Sequence, residues 1–245
     1  MPKIVLFGIV VLAMVACAKH DPILPGDRTA IFSAADVHVL NKNIEVLPDN
    51  AIDSGTYATV CDYRQDENNV VWDGARKVFA GFPTDNSVSG DKKPVCHGKY
   101  VYAGLTTGEV VKVNPKTRQI VWMADVYRSS NMMGGASVVD IVAPIVIYDN
   151  SVFVAGLGDA FCRLDINSGD KKWCVDIGSA HPFVIAGDFA FVLGVDDDLY
   201  AVRLSDGAVY WKTHIEKISN IMTYENGIIK VGREEIDAKS GKVLD

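Results

Sequence analysis

The sequence predicts an all-β fold, a β-propeller assembled from short four-stranded blades. Three observations predict it. A hairpin unit, Asp165-Ile166-Asn167-Ser168-Gly169 followed four residues later by Trp173, returns as Arg203 to Trp211 and, less regularly, as Asn114 to Trp122. It begins again at Asp237 to Gly241, where the chain ends with Asp245 in the tryptophan's place. Upstream of each copy lies a two-residue turn between apolar runs, at His97-Gly98, Asp149-Asn150, Gly187-Asp188 and Asn226-Gly227. From Thr56 onward the apolar runs are short and bounded by Gly, Asn and Asp, and no long window keeps a helical period.

The third unit reads as strands over Pro144 to Tyr148, Val152 to Ala155, Ala160 to Ile166 and Lys172 to Ile177. The fourth repeats them at His181 to Ala186, Phe189 to Leu193, Leu199 to Leu204 and Val209 to Thr213. Gly169, Gly207 and Gly241 fall where a tight hairpin turn needs positive φ, which glycine adopts without steric cost. Arg118 stands at the same place, so that turn is expected to be strained or differently shaped. Trp122, Trp173 and Trp211 each offer a large apolar face with which to seal one blade against its neighbour, and Trp72 is read as a fourth such residue.

The last unit stops without a fourth strand, which would leave a bare sheet edge. Val70-Val71-Trp72 carries the missing pattern, so the N-terminal strand around Trp72 is expected to complete the C-terminal blade and close the ring. This count gives four blades, or five if residues 51–94 form a degenerate blade. An open arc completed by another molecule is the third arrangement.

Residues 1–16 read as a signal peptide: Lys3 precedes the apolar run Ile4 to Ala16, too short to span a bilayer. Met14-Val15-Ala16-Cys17 resembles a bacterial lipobox, which implies cleavage before Cys17 and its acylation. Residues 17–50 then form an acylated, Pro-containing tether, in which Ile44 to Leu47 could add an edge strand, and residues 51–245 form the propeller domain. The formal charge of −7 argues against sequence-independent nucleic-acid binding, which needs a basic face.

Beyond Cys17 four cysteines remain. A three-residue loop at Asn167-Ser168-Gly169 would put Cys162 opposite Cys174, within disulfide reach, whereas a two-residue loop would forbid the pair. Cys61 and Cys96 could pair only if chain closure brought them together, and four buried thiols are the alternative. No histidine pair has metal-ligand spacing, and no nucleophile elbow, phosphate loop or dinucleotide motif occurs. Asp196-Asp197-Asp198 lacks the ligand series of a calcium loop and reads as a solvated turn.

The D-x-x-[ST]-G-x-x-x-W unit resembles that of the quinoprotein-type β-propellers. Within them, Val139-Asp140-Ile141-Val142-Ala143-Pro144 and the stretch through Trp173 to Trp211 are similar to the BamB family of outer-membrane β-barrel assembly lipoproteins. Gly26-Asp27-Arg28-Thr29 in the tether agrees with it. Members of that family have eight blades, so this chain is a shortened relative. The resemblance implies a non-catalytic scaffold, without cofactor or metal, lipid-anchored at the periplasmic face of the outer membrane. Its partner would be the periplasmic domains of the central (BamA-like) barrel-assembly protein, joined by this chain as a monomer within the complex. It carries Asp140 over as a partner-facing residue. A generic envelope adaptor is the second reading. A quinone-dependent dehydrogenase, the enzyme alternative, would need a full ring, a calcium site and a pair of adjacent cysteines.

Overall fold

The computed structural model describes residues 37–53, 61–84, 93–127, 138–216 and 221–244. The signal peptide, Cys17 and the start of the tether lie outside the described residues, as do residues 128–137. Every regular element described is a strand. After β1 (Ile52–Asp53), the remaining nineteen fall into five antiparallel sheets in chain order. The first holds β2 (Tyr63–Gln65), β3 (Val70–Asp73) and β4 (Arg76–Ala80). The second holds β5 (Val95–His97), β6 (Tyr100–Gly104), β7 (Glu109–Asn114) and β8 (Gln119–Asp125). The third holds β9 (Val146–Tyr148), β10 (Ser151–Gly156), β11 (Ala160–Asp165) and β12 (Lys171–Val175). The fourth holds β13 (Val184–Ala186), β14 (Phe189–Leu193), β15 (Asp198–Arg203) and β16 (Val209–His214), with β1 added beside β13. The fifth holds β17 (Met222–Glu225), β18 (Ile228–Val231), β19 (Glu234–Asp237) and β20 (Val243–Leu244).

The repeated turn owes its shape to its first residue. Asp165 Oδ1 accepts from the N–H groups of Asn167 (2.9 Å) and Ser168 (3.1 Å), and Asn114 Oδ1 does the same for Lys116 (3.1 Å). The backbone closes with Gly169 N–H donating to Asp165 O at 2.9 Å, and with the same bond in the other copies, including Arg118 N–H to Asn114 O at 2.7 Å. The Arg118 turn therefore keeps the common shape, with the arginine itself at φ +59°. Asp165 N–H donates to Asp170 O, which makes the loop four residues long rather than three. A one-residue bulge between Arg163 and Leu164 then restores the register that the shorter loop would have given, and Cys162 lies opposite Cys174. The two are bonded, with Cα atoms 4.1 Å apart.

Three apolar clusters hold the sheets face to face. Val71, Val78 and Phe79 of the first sheet pack on Val101, Val111 and Val113 of the second. Tyr102, Val110 and Trp122 pack on Val152, Val154 and Leu164 of the third. Phe153 and Phe161 continue into Phe191, Tyr200 and Trp211 and on to Ile229, Val231 and Ile236 of the fifth. Inner strands are thus covered on both faces, which is why β10 is buried from end to end and its sequence runs apolar instead of alternating.

The expected ring closure is corrected by the strand pairing. Trp72 does not enter the C-terminal blade: it opposes Arg64 and Lys77 inside the first sheet. The fifth sheet makes its own fourth strand, because Val243 and Leu244 pair with Ile236 and Glu235. A bulge-compatible turn at Gly241 reverses the chain early enough for two residues to reach the edge. The degenerate N-terminal blade is the arrangement observed. It is fastened to the second sheet by the Cys61–Cys96 disulfide, so that pair forms without any meeting of the chain ends.

Residues 37–53 are bound to the blades. Leu40 and Lys42 donate N–H groups to Val209 O (2.9 Å) and Tyr210 O (3.0 Å) on the outer edge of β16. Ile44, 2% exposed, donates its N–H to Lys239 O in the fifth sheet's turn. Asp49 O accepts from Asn226 N–H, and Ile52 then pairs with Ile185 on the inner edge of the same fourth sheet. This strap covers both edges of one blade and clips the next.

Candidate docking surface

The tryptophans lock neighbouring blades in orientation. Trp122 Nε1 donates to Ile166 O at 3.1 Å, Trp173 Nε1 to Leu204 O at 2.9 Å and Trp211 Nε1 to Ala238 O at 3.2 Å. Each acceptor is the residue just after the first turn residue of the next sheet. The indoles also lie on the turn glycines: a Cβ at Gly169, Gly207 or Gly241 would come within 2.7, 2.9 or 2.7 Å of Trp122, Trp173 or Trp211. Glycine is needed there twice over, for φ and for room. Trp72 makes no such contact. Its Nε1 donates to Asp66 Oδ2 at 2.8 Å, and Arg64 and Lys77 lie over its ring at 5.0 and 5.6 Å. No indole presses on the turn of the second sheet, so Arg118 can occupy the glycine position.

Two basic residues that sequence reasoning missed join the same carbonyls. Lys112 Nζ donates to Ile166 O at 2.6 Å and Arg163 Nη1 to Leu204 O at 3.0 Å. The available signal was their position: each lies directly across the ladder from its blade's tryptophan, Lys112 from Trp122 and Arg163 from Trp173. Lys112 is 4% exposed and sits 4.3 Å over the Tyr100 ring. Burial pushes its ammonium below the ordinary lysine value, while the Asp165 charge works the other way. At the first junction Asn69 takes the tryptophan's part. Fully buried at φ +60°, it donates from Nδ2 to Phe82 O (2.7 Å) and Thr106 Oγ1 (2.6 Å) and accepts from Thr106 N–H (2.8 Å).

Gly207 and Gly227 give a test with an internal control. Both have positive φ, +76° and +81°, but a Cβ at Gly227 meets nothing within 4 Å. Gly227→Ala is expected to cost about 1–2 kcal/mol for the left-handed backbone alone. Gly207→Ala is expected to cost a further ~1–3 kcal/mol because Trp173 must move. Urea unfolding of both variants measures the difference.

The loops between blades gather at one end of the sheets and are bonded to one another. Val126 N–H donates to Gly108 O (2.7 Å), Ile141 N–H to Leu105 O (3.2 Å) and Leu157 N–H to Asp140 O (2.9 Å). The series continues with Ser179 N–H to Gly156 O (3.1 Å), Val195 N–H to Gly178 O (2.9 Å) and Ile215 N–H to Asp197 O (2.8 Å). The described parts of the connections between the second, third and fourth sheets, and of the one leaving the fourth, are each tied to a turn of their own sheet or of a neighbour. Asp140 belongs to one of them as a buried residue with no exposed surface. The expectation of a partner-facing carboxylate is corrected here. Residues 138–145 press down between the second and third sheets, with Ile141 against Gly104 so closely that a Cβ there would approach to 2.4 Å. Asp196 Oδ2 accepts from the Tyr200 hydroxyl, so this residue of the acidic triplet supports its own turn.

Acid reports on the first sheet. Burial alone would raise the Asp66 carboxyl, but the bonds it accepts from Trp72, Val70 and Asn68, helped by Arg64, hold it below its ordinary 3.8. A carboxylate lowered on folding contributes stability that is present above pH 3.8 and is lost as pH falls through the lower folded value. Asp66→Asn is expected to flatten the loss of stability below pH 3.8, read by denaturant midpoints across a pH series.

The sequence comparisons agree on one family. A family model described as outer membrane protein assembly factor BamB matches residues 27–213. BamB of Escherichia coli (strain K12) is 22% identical over 152 residues, 61% of this chain and 38% of that protein. BamB of Yersinia pestis is 24% identical over 172 residues, 66% of this chain and 42% of that protein. The chain spans less than half the length of these curated relatives. The crystal structure of BamB from Moraxella catarrhalis shares the fold, with a TM-score of 0.52 and 14% identity over 82% of this chain and 67% of that one.

Proposed function

The chain belongs to the family of outer membrane protein assembly factor BamB, and from that membership we propose that it is a non-catalytic scaffold in outer-membrane β-barrel assembly. The observation that carries the reading is the family match over residues 27–213, which takes in the first to fourth sheets and the loop bonds between them. In this reading residues 1–16 are removed and Cys17 is acylated, which fixes the domain to the periplasmic face of the outer membrane. Two or more acyl chains would make that attachment stable where one would not. The periplasmic domains of the central barrel-assembly component dock on the inter-blade loops. Asp140 contributes from within, by holding the 138–145 connection in place.

The mechanism is orientation without bond chemistry. A partner that lands on loops already fixed by backbone bonds loses little further conformational freedom, so the affinity of a modest interface is preserved. The cysteine arrangement supports this reading over a quinone-dependent dehydrogenase. Cys61, Cys96, Cys162 and Cys174 are taken up in two disulfides, and neither joins sequence neighbours. Affinity capture of the full chain from detergent-solubilised membranes tests the proposal. Recovery of the central barrel-assembly component is the expected result. Recovery of unrelated envelope proteins alone would favour a generic adaptor, and saturable quinone binding would favour the enzyme.

A further inference from the structure

The outer strands of the sheets are guarded unequally. On β12 the exposed Lys171 and Lys172 discourage pairing, β16 is covered by Leu40 and Lys42 of the strap, and β20 is only two residues long. Among the described residues, the outer strand of the second sheet, β8, has none of these guards. It is seven residues long, it pairs with β7 on one side, and Ile120, Val121 and Met123 are 51%, 44% and 45% exposed.

The backbone of β8 is set up for a particular register. Val126 N–H points inward to Gly108 O, so the alternation of an antiparallel ladder turns the N–H and C=O groups of Asp125 and Met123 outward. Beyond the bulge, Gln119 opposes Asn114 at the closing of the hairpin, which turns the groups of Ile120 outward as well. We propose that β8 pairs with β8 of a second copy of this chain, antiparallel about a two-fold axis through the bulge. In that register Ile120 opposes Met123 of the second copy, and the outward-facing backbone groups of both are satisfied. Arg118 opposes Asp125 of the second copy, and the two-fold repeats each pair. The bulge lies on the axis in both strands, so it leaves the pairing symmetric. Ile120 faces Met123, Val121 faces Trp122 and Arg118 faces Asp125, with only the Gln119–Ala124 pair of mixed polarity, which is the self-complementarity an isologous contact requires. This interface stands on the edge strand alone and goes beyond the assembly reading. It differs from the expectation of a single copy, and the test below decides between them.

The test uses the full chain in mild detergent, with light scattering across a concentration series. Wild type is expected to reach twice the mass of one chain. Arg118→Asp, which sets like charges opposite one another twice, is expected to weaken the dimer at least about tenfold. Aspartate tolerates the left-handed conformation at this position, so the turn survives. Ile120→Lys is expected to give monomer, with an unchanged circular dichroism spectrum confirming the fold. The swap Arg118→Asp with Asp125→Arg restores opposite charges and is expected to recover dimerisation to within a few-fold of wild type. Wild type that stays monomeric throughout, or a double variant no better than the single one, overturns the proposal.

Discussion

Replacing Trp211 with alanine is expected to destabilise the protein by about 3–5 kcal/mol, the range for truncating a buried aromatic. Trp211 is 4% exposed, stacks on Phe191 at 5.7 Å, covers Gly241 and bonds Ala238 O. Its loss opens a void between the fourth and fifth sheets and leaves a buried carbonyl without its donor. For a domain of this size the melting temperature should fall by roughly 10 °C. Trp72→Ala, by contrast, is expected to cost much less, because its ring lies half-buried under Arg64 and Lys77 inside one sheet. Calorimetry on the two variants separates a blade lock from a local cover.

The paired change Cys61→Ser and Cys96→Ser is expected to release the first sheet. Joining residues 35 apart restricts the unfolded chain by about 4 kcal/mol in the chain-entropy model. The remaining attachments are the Val71 and Phe79 packing, the Asn69 bonds and Gln65 Nε2 donating to Gly104 O. The expected outcome is early loss of amide protection in residues 61–80 with the third to fifth sheets still protected, read by hydrogen exchange. Uniform loss of protection throughout the chain would contradict a separately fastened first blade.

The turn units were legible because their demands are local. An aspartate that caps two amides, a glycine at positive φ and a tryptophan at fixed spacing identify themselves wherever they occur, and the blade repeat followed from them. What escaped notice depended on partners far along the chain. The strap is held largely by main-chain groups of Leu40, Lys42 and Ile44, which any side chain can carry, so residues 37–50 read as tether. Trp72 looked like the other tryptophans in spacing, but Asp66 six residues earlier captured its indole within one sheet. The Cys162–Cys174 register was reachable from a three-residue loop, although the chain arrives at it through a longer loop and a bulge. Asp140 was expected at the surface because the family resemblance carried it over as a partner-facing residue. Its burial comes from the packing of Ile141 against Gly104, a contact between residues far apart in sequence.

The docking reading makes its sharpest demand on position. Photocrosslinking residues placed one at a time at Thr107, Asp159, Asp197 and Glu216 sample the loop end. The same probe at Lys116, Ser168, Ser205 and Lys239 samples the hairpin turns at the opposite end. In intact cells the loop positions are expected to capture the central barrel-assembly component, and the turn positions are expected to leave it uncaptured. Capture from the turns alone, or from neither end, would contradict the account.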